Sequence, residues 1–403
     1  MSSAKNGTVS HRRVFYVPGY DPMPPRRYRE LYRTEGARQA GISGYDLSIR
    51  ARKGERFGWH VESVQDGQST HTEFEVLLWA DLVKRSMEAG VLGTYAMLVQ
   101  TAWIYVRTGA LRRLTWLRKG PVIAALYPVV VLLLQLLAAL LVAGALGWAL
   151  SWAHPMAAWL GLLAVWPVLE AFRRKDARFF AYYLMHDYAF TAKWGGANPR
   201  ELEARLRDFG GAIRDALASD VDEVLVIGHS SGAHLGISIL ADLLRDGLDP
   251  GGRLSFLSLG HVVPMVSFLP RADRLRGDLH LMGGQTQIPW IDVTAPADGC
   301  SFALCDPVAV SGVAPAPQVA PLVLSAAFTN TLSAAKQAEL RRRYFRLHFQ
   351  YLCAFDALPG TPGDYDYFRV TAGPLRLAER FADRKPSPST LRKPVNRFTG
   401  TTP

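Results

Sequence analysis

Ser230 stands at the centre of VLVIGHSSG, residues 224–232, where four apolar residues run into the one Gly-x-Ser-x-Gly turn in the chain. A short apolar run of this kind reads as a buried strand, and residues 231–244 carry the apolar spacing of a helix. Gly228 and Gly232 let the backbone turn sharply and let strand and helix approach, which leaves the Ser230 hydroxyl clear of the sheet edge. A serine so held is placed to act as a nucleophile. At its own pKa it is a weak one, so the chemistry needs an imidazole to take its proton and a carboxylate to orient that imidazole. Downstream the chain offers His234, His261, His280 and His348, with Asp273, Asp292, Asp298, Asp306 and Asp356 among the acids. His229 and His234, in and just after the motif, read as local packing or hydrogen-bonding residues. No metal or cofactor chemistry is expected. Cys300, Cys305 and Cys353 lack zinc-site spacing, are too few for a disulfide framework, and read as small buried residues in a reducing compartment.

The elements that must hold these groups alternate in type. Residues 14–17, VFYV, read as a strand feeding the loop Pro18-Gly19-Tyr20-Asp21-Pro22, and a helix follows over 25–40. Strand-like runs come at 45–51, 57–64 and 72–79, an amphipathic helix at 199–218, and further strands at 254–259 and 288–293. Strands alternating with helices predict an α/β fold with a mostly parallel central sheet flanked by helices.

Into that pattern is set a stretch of fifty residues, 120–169, without Asp, Glu, Lys or Arg. About 20 apolar residues cross a bilayer core, and one helix of this length would reach about 75 Å, so the stretch reads as a two-helix transmembrane hairpin. Its spans are expected at 121–144 and 153–172, with a turn at 147–155. Arg107, Arg112, Arg113, Arg118 and Lys119 precede it, Arg173, Arg174, Lys175 and Arg178 follow, and the connector has neither Lys nor Arg. The positive-inside rule then makes both flanks cytoplasmic, as at a bacterial-type inner membrane. Residues 89–106 form another uncharged run. Strands 14–17 and 224–227 can share a sheet only if the chain between them crosses an even number of times, so this run reads as an interfacial or core-packed helix.

Four regions follow: residues 1–106 and 176–383 as the two parts of one α/β domain, 107–175 as the hairpin with its basic flanks, and 384–403 as a basic disordered tail. The net charge of +11 does not point to nucleic acid, because nine of the basic residues lie beside the spans, where they suit anionic lipid headgroups. The polar first thirteen residues predict no cleavable signal, so attachment to the bilayer falls to the hairpin.

Together VFYVPGY at 14–20, VLVIGHSSG at 224–232, FLSLG at 256–260, WIDVTAPADG at 290–299 and a late histidine resemble the α/β-hydrolase superfamily of esterase and lipase type. The resemblance covers roughly residues 14–380 outside the hairpin, and the serine turn is its specific part. It implies an α/β-hydrolase-like fold and a triad in the chain order Ser, acid, His. Ser230 is then the nucleophile, and His348, the only histidine after Asp298, the base. Asp298, in the loop past the strand ending at Val293, is the preferred acid. Asp292, pointing from within that strand, is second choice. The structural alternatives are an Asx-turn role for Asp298 and a helical packing role for His348; one unbroken helix over 340–352 would weaken the resemblance. Oxyanion donors are expected from the backbone N–H of Ser231 and of Gly19 or Tyr20. The chain departs from the family in having Pro-Gly-Tyr where a triple-Gly loop is common, and in carrying the hairpin ahead of the serine turn.

What the resemblance implies is a serine-dependent carboxylic ester hydrolase without cofactor, working through an acyl-enzyme on Ser230. Anchoring to the bilayer directs the expectation to a lipophilic ester such as an acylglycerol or phospholipid. Two alternatives stay open: an acyltransferase using the same serine, and a non-catalytic membrane protein with a degenerate hydrolase fold.

Overall fold

The computed structural model describes residues 8–356 and 365–402. Eight strands, β1 (His11–Val17), β2 (Asp46–Ala51), β3 (Gly58–Gln65), β4 (Gln68–Val76), β5 (Glu223–His229), β6 (Leu254–Leu259), β7 (Trp290–Thr294) and β8 (Leu322–Ser325), form one sheet in the order β2-β3-β4-β1-β5-β6-β7-β8. From β4 to β8 all neighbours run parallel, while β3 is antiparallel to both β2 and β4. The helices used below are α1 (Arg26–Ser43), α2 (Ala80–Ser86), α3 (Val91–Arg107), α4 (Ala110–Leu114), α5 (Lys119–Ser151), α6 (Val165–Arg174), α7 (Ala181–Ala192), α8 (Arg200–Leu217) and α9 (Ser231–Arg245).

Strand geometry sends successive side chains to opposite faces, and both faces of the central strands are covered. Val14, Tyr16, Leu225 and Ile227 pack on one side with Tyr28 and Tyr32 of α1 and with Tyr351, Phe355 and Phe368. Phe15, Val17, Val224 and Val226 pack on the other with Leu206 and Phe209 of α8 and Leu235 and Ile239 of α9. Every residue of β5 is buried, which explains its unbroken apolar run. The mixed α/β architecture expected from the alternating elements is therefore present.

Two local readings need correction. The third strand-like run was placed at 72–79, but β4 begins at Gln68, because Asp66 (φ 52°) and Gly67 (φ 75°) close a two-residue turn that pairs Gln65 with Gln68. Residues 77–79 have left the sheet, and Trp79 Nε1 donates to Pro18 O at 3.0 Å. The edge strand β8 was not expected at all; it is four residues long, follows Pro321, and is held by pairing with β7.

Among the described residues two helical stretches, Lys119–Ser151 and Pro155–Arg174, are long and apolar enough to cross a membrane, and α2 with α3 reaches that only when the pair, bent by 99°, is taken as one span. The first does not stop near residue 144 as expected but runs unbroken to Ser151, about 50 Å at 1.5 Å per residue. The second starts as a 3-10 helix, Pro155–Ala164, and becomes α6. Gly161 permits their contact, since a Cβ there would collide with the Ala143 carbonyl and the Gly147 backbone. Both stretches lie in the connection from β4 to β5. Since β1 and β5 pair from Arg12↔Glu223 to Val17↔Gly228, that connection must cross any bilayer an even number of times.

Helix α3 is packed on one face only. Val91, Leu98 and Tyr105 face α5 and α7, while Leu92, Val99, Trp103 and Val106 point outward, with Leu92 73% exposed. Its polar Thr94 and Thr101 are on the buried side, the reverse of a water-facing helix.

Residues 384–402, read as a disordered tail, instead follow an extended path over the domain. Leu391 N donates to Leu304 O at 2.7 Å, Asp306 N donates to Leu391 O at 2.9 Å, and the buried Arg276 guanidinium donates to Gly400 O at 2.7 Å. Composition missed this because the tail builds no core of its own; it borrows hydrogen bonds from a surface already formed.

Candidate active site

Strand β1 has β4 on one side and β5 on the other, so the direction in which strands are added reverses between them. Open α/β sheets form a crevice at the carboxyl ends of such a pair. Here the loop after β1 carries Pro18, Gly19 and Tyr20, and the turn after β5 carries Ser230.

The serine turn is strained. Ser230 has φ 57° and ψ −121°, outside the regions a side chain normally permits. Its N–H donates to Leu259 O (2.9 Å) and its carbonyl accepts from Ala233 N (3.1 Å). A Cβ on Gly228 would come within 2.5 Å of Gly232 O, and one on Gly232 would run into the Val17 carbonyl, so both glycines are obligatory for the strand–helix contact. Gly19 faces the same serine: a Cβ there would lie 3.0 Å from Ser230 Cβ and 3.4 Å from its Oγ. The backbone N–H groups of Gly19, Tyr20 and Ser231 hydrogen-bond to no described residue, which leaves all three free for an anion.

His348 and Asp298, 50 residues apart, meet with His348 Nδ1 2.8 Å from Asp298 Oδ2. The same carboxylate oxygen accepts from Tyr351 OH at 3.0 Å, and Oδ1 accepts from Cys300 N at 2.9 Å. Asp298 is thus both the Asx-turn residue and the partner of the histidine, one oxygen for each. Burial pushes its carboxyl up, but the His348 imidazole and these hydrogen bonds outweigh burial and hold it below its ordinary value. With Nδ1 engaged by a carboxylate, Nε2 is the nitrogen left to exchange a proton.

His348 closes a five-residue helix, Tyr344–His348, separated by one residue from the 3-10 turn Gln350–Leu352; neither a strand nor one unbroken helix forms over 340–352. Its ring lies over the end of β6, where a Cβ on Gly260 would sit 3.2 Å from His348 Cε1, and Gly260 directly follows the Leu259 that holds Ser230. No hydrogen bond joins the Ser230 hydroxyl to this ring. His229, beside Ser230, donates from Nε2 to the His348 carbonyl (3.0 Å), and its ring lies tilted 4.8 Å from the His348 ring. Burial depresses the His229 pKa to about 3, so it acts as a neutral support.

Asp292, the second-choice acid, does not reach His348. It is fully buried, accepts from Ser258 Oγ at 2.5 Å and has His261 Nε2 at 3.6 Å, and burial pushes it up to about 6. Asp306 caps the helix Pro307–Val310. Cys300, Cys305 and Cys353 carry free thiols. Ligand atoms of Asp298, Cys300 and His348 lie within 4.8 Å of one another, a spacing a metal can use. Burial raises the Cys300 thiol well above its ordinary value, however, and both Asp298 oxygens are already taken, so the donor set does not suit a cation. A cleft of about 340 Å³ between α2 and α7, lined by Ser86, His186, Phe190 and Lys193, excludes Ser230.

Sequence reasoning missed Tyr351, which accepts from Ala295 N at 2.9 Å while donating to Asp298. Its position three residues after His348 was the available signal. It also missed the roof of the site. Tyr183 of α7 donates to the Tyr20 carbonyl, and its ring lies 6.0 Å from both Tyr20 and Phe345. Comparison with known proteins finds no matching family model, no matching curated protein and no matching solved structure.

Proposed function

We propose that the protein is a membrane-anchored serine hydrolase of α/β-hydrolase type that cleaves a lipophilic carboxylic ester at the cytoplasmic face of a membrane. The observation that carries this reading is the 2.8 Å contact between His348 and Asp298 beside a serine held at φ 57°. Ser230 Oγ attacks the ester carbonyl and its proton passes to His348 Nε2, while Asp298 stabilises the imidazolium through Nδ1. The oxyanion is met by the N–H of Ser231 and of Gly19 or Tyr20, each donor supplying about 3 kcal/mol of barrier lowering. His348 then returns the proton to the leaving alcohol, and a water activated by the same nitrogen releases the acid from Ser230. The hydroxyl–imidazole hydrogen bond is unmade, and catalytic contacts of this kind commonly tighten only as the reacting complex forms. That same gap is the one observation favouring the non-catalytic alternative.

Support for a lipophilic substrate comes from the two apolar stretches and from the outward apolar face of α3, which hold the site near lipid. The test is turnover of a p-nitrophenyl ester series from acetate to decanoate by the detergent-solubilised full chain. The reading predicts activity that rises with chain length and disappears in Ser230→Ala and His348→Ala. Equal hydrolysis by wild type and Ser230→Ala would overturn it.

A further inference from the structure

Strands β3 and β4 each carry a His-x-Glu triplet, His60-Val61-Glu62 and His71-Thr72-Glu73. Their antiparallel register sets His60 opposite Glu73 and Glu62 opposite His71, so each histidine meets the other triplet's carboxylate. Alternation along the strands sends Val61, Thr72 and Phe74 into the core and gathers both histidines and both carboxylates on the other face of the hairpin. There Glu62 is exposed and the other three are half-buried.

The spacing within this square is that of a ligand set. One ligand atom each from His60, His71 and Glu73 lies within 4.8 Å of the other two, and the two imidazole rings are 5.4 Å apart. His71 Nδ1 donates to Glu62 Oε1 at 2.7 Å, which fixes the tautomer and leaves the lone pair on Nε2. His60 hydrogen-bonds to no described residue, although its Nδ1 is shut off from water. A buried ring nitrogen without a partner is costly, and structures keep one where something else completes it. Glu73 is half engaged: Oε2 lies 3.5 Å from Arg13 Nη1 and 3.7 Å from Arg52 Nε, while Oε1 accepts from no described residue. Both arginines also reach Glu75, at 3.4 and 2.7 Å.

Ordinary ion pairing accounts for Glu62 with His71 but leaves His60 and the free oxygen of Glu73 without a task. Two imidazole nitrogens and a carboxylate oxygen are donors that zinc and its neighbours in the first transition row take, and a carboxylate behind one imidazole is their usual support. We propose that His60, His71 and Glu73 bind one zinc-type dication, with Glu62 as the positioning residue behind His71. His11 pairs with His71 between β1 and β4, its ring 5.9 Å away, so a fourth ligand can come from it or from water. The site lies at the amino end of β1, whereas the Ser230 crevice lies at the carboxyl end. A metal here would staple β3 to β4 and take no part in ester chemistry, so the inference stands independently of the serine-hydrolase reading.

The test titrates Zn²⁺ alone into the detergent-solubilised full chain after EDTA treatment, with a chromophoric chelator as competitor. Wild type should take up one Zn²⁺ per chain with a Kd on the order of 1 µM or tighter. X-ray absorption at the zinc edge should show two or three imidazole nitrogens at about 2.0–2.1 Å, with oxygen completing the shell. Glu62→Gln, which leaves all three ligands in place, should weaken binding about 10–100-fold, and His60→Asn or Glu73→Gln should weaken it further. No uptake at that affinity, equal uptake by wild type and His60→Asn, or a zinc shell containing sulfur, which would place the metal beside Cys300, would each overturn the proposal. The wild-type spectrum needs no substitution and so decides the matter even where a variant fails to fold.

Discussion

Asp298 divides its two oxygens between holding its own loop and orienting His348, so removing charge without removing shape tests the second role alone. Asp298→Asn keeps the acceptor for Cys300 N and loses the anion opposite His348 Nδ1. The expected outcome is a fall in kcat on the order of 10⁴-fold with KM little changed, read from steady-state ester hydrolysis. Asp187 of α7 makes the opposite kind of prediction. Burial raises its carboxyl pKa on folding, so the folded state binds more protons than the unfolded one and stability falls as pH climbs from the ordinary carboxylate range through about 7. Asp187→Asn removes that penalty: its Tm should exceed that of wild type at pH 8, with the difference shrinking toward pH 4. A wild-type advantage at pH 8 in thermal melts would contradict the burial argument. The serine was legible in the sequence because Gly-x-Ser-x-Gly encodes a backbone demand, visible as φ 57°. Asp298 was legible as a loop acid after a strand, whereas Tyr351 is held by contacts to Ala295 and Asp298 that no local pattern carries.

Among the elements, the hairpin depends on one close approach. Gly161 lies against the Ala143 carbonyl, whereas Gly144, one residue further along α5, has open space around it. Gly161→Val should therefore lower the detergent Tm by several degrees, and Gly144→Ala should leave it unchanged or raise it, since Ala gains about 0.5–1 kcal/mol over Gly in a helix. The same element shows the limit of composition: apolar glycine-containing sequence located the hairpin well but put the end of its first arm at 144, because a glycine in a helix packed against a partner does not end it. Turn chemistry had the reverse fate. Asp66-Gly67 is a hairpin signal in plain view, and overlooking it displaced the start of β4 by four residues.

Across the whole molecule, the proposed orientation puts residues 107–118 and the catalytic domain on one side of the membrane and the tip at 152–154 on the other. Ala153→Cys should react with a membrane-impermeant maleimide on intact cells, and Arg112→Cys only after permeabilisation; the reverse pattern would invert the topology. Trp148 and Trp152, 67% and 79% exposed near that tip, and Trp116 under Arg112 and Arg113 at the opposite end lie where the two interfacial belts of a hairpin crossing a bilayer fall, whichever way it points. The overall architecture was legible because alternating strands and helices leave few topologies, while the ordered path of 384–402 was not, since it rests on partners far away in the sequence, such as Val323, Leu304 and Arg276. All of this converges on one hydroxyl. The most direct measurement is intact-mass and peptide mapping of the full-length protein, in native membranes, after exposure to a fluorophosphonate probe. The account predicts a single adduct on Ser230, absent from Ser230→Ala and strongly slowed in His348→Ala. A folded wild-type protein that takes up no probe, or takes it up equally in Ser230→Ala, contradicts it.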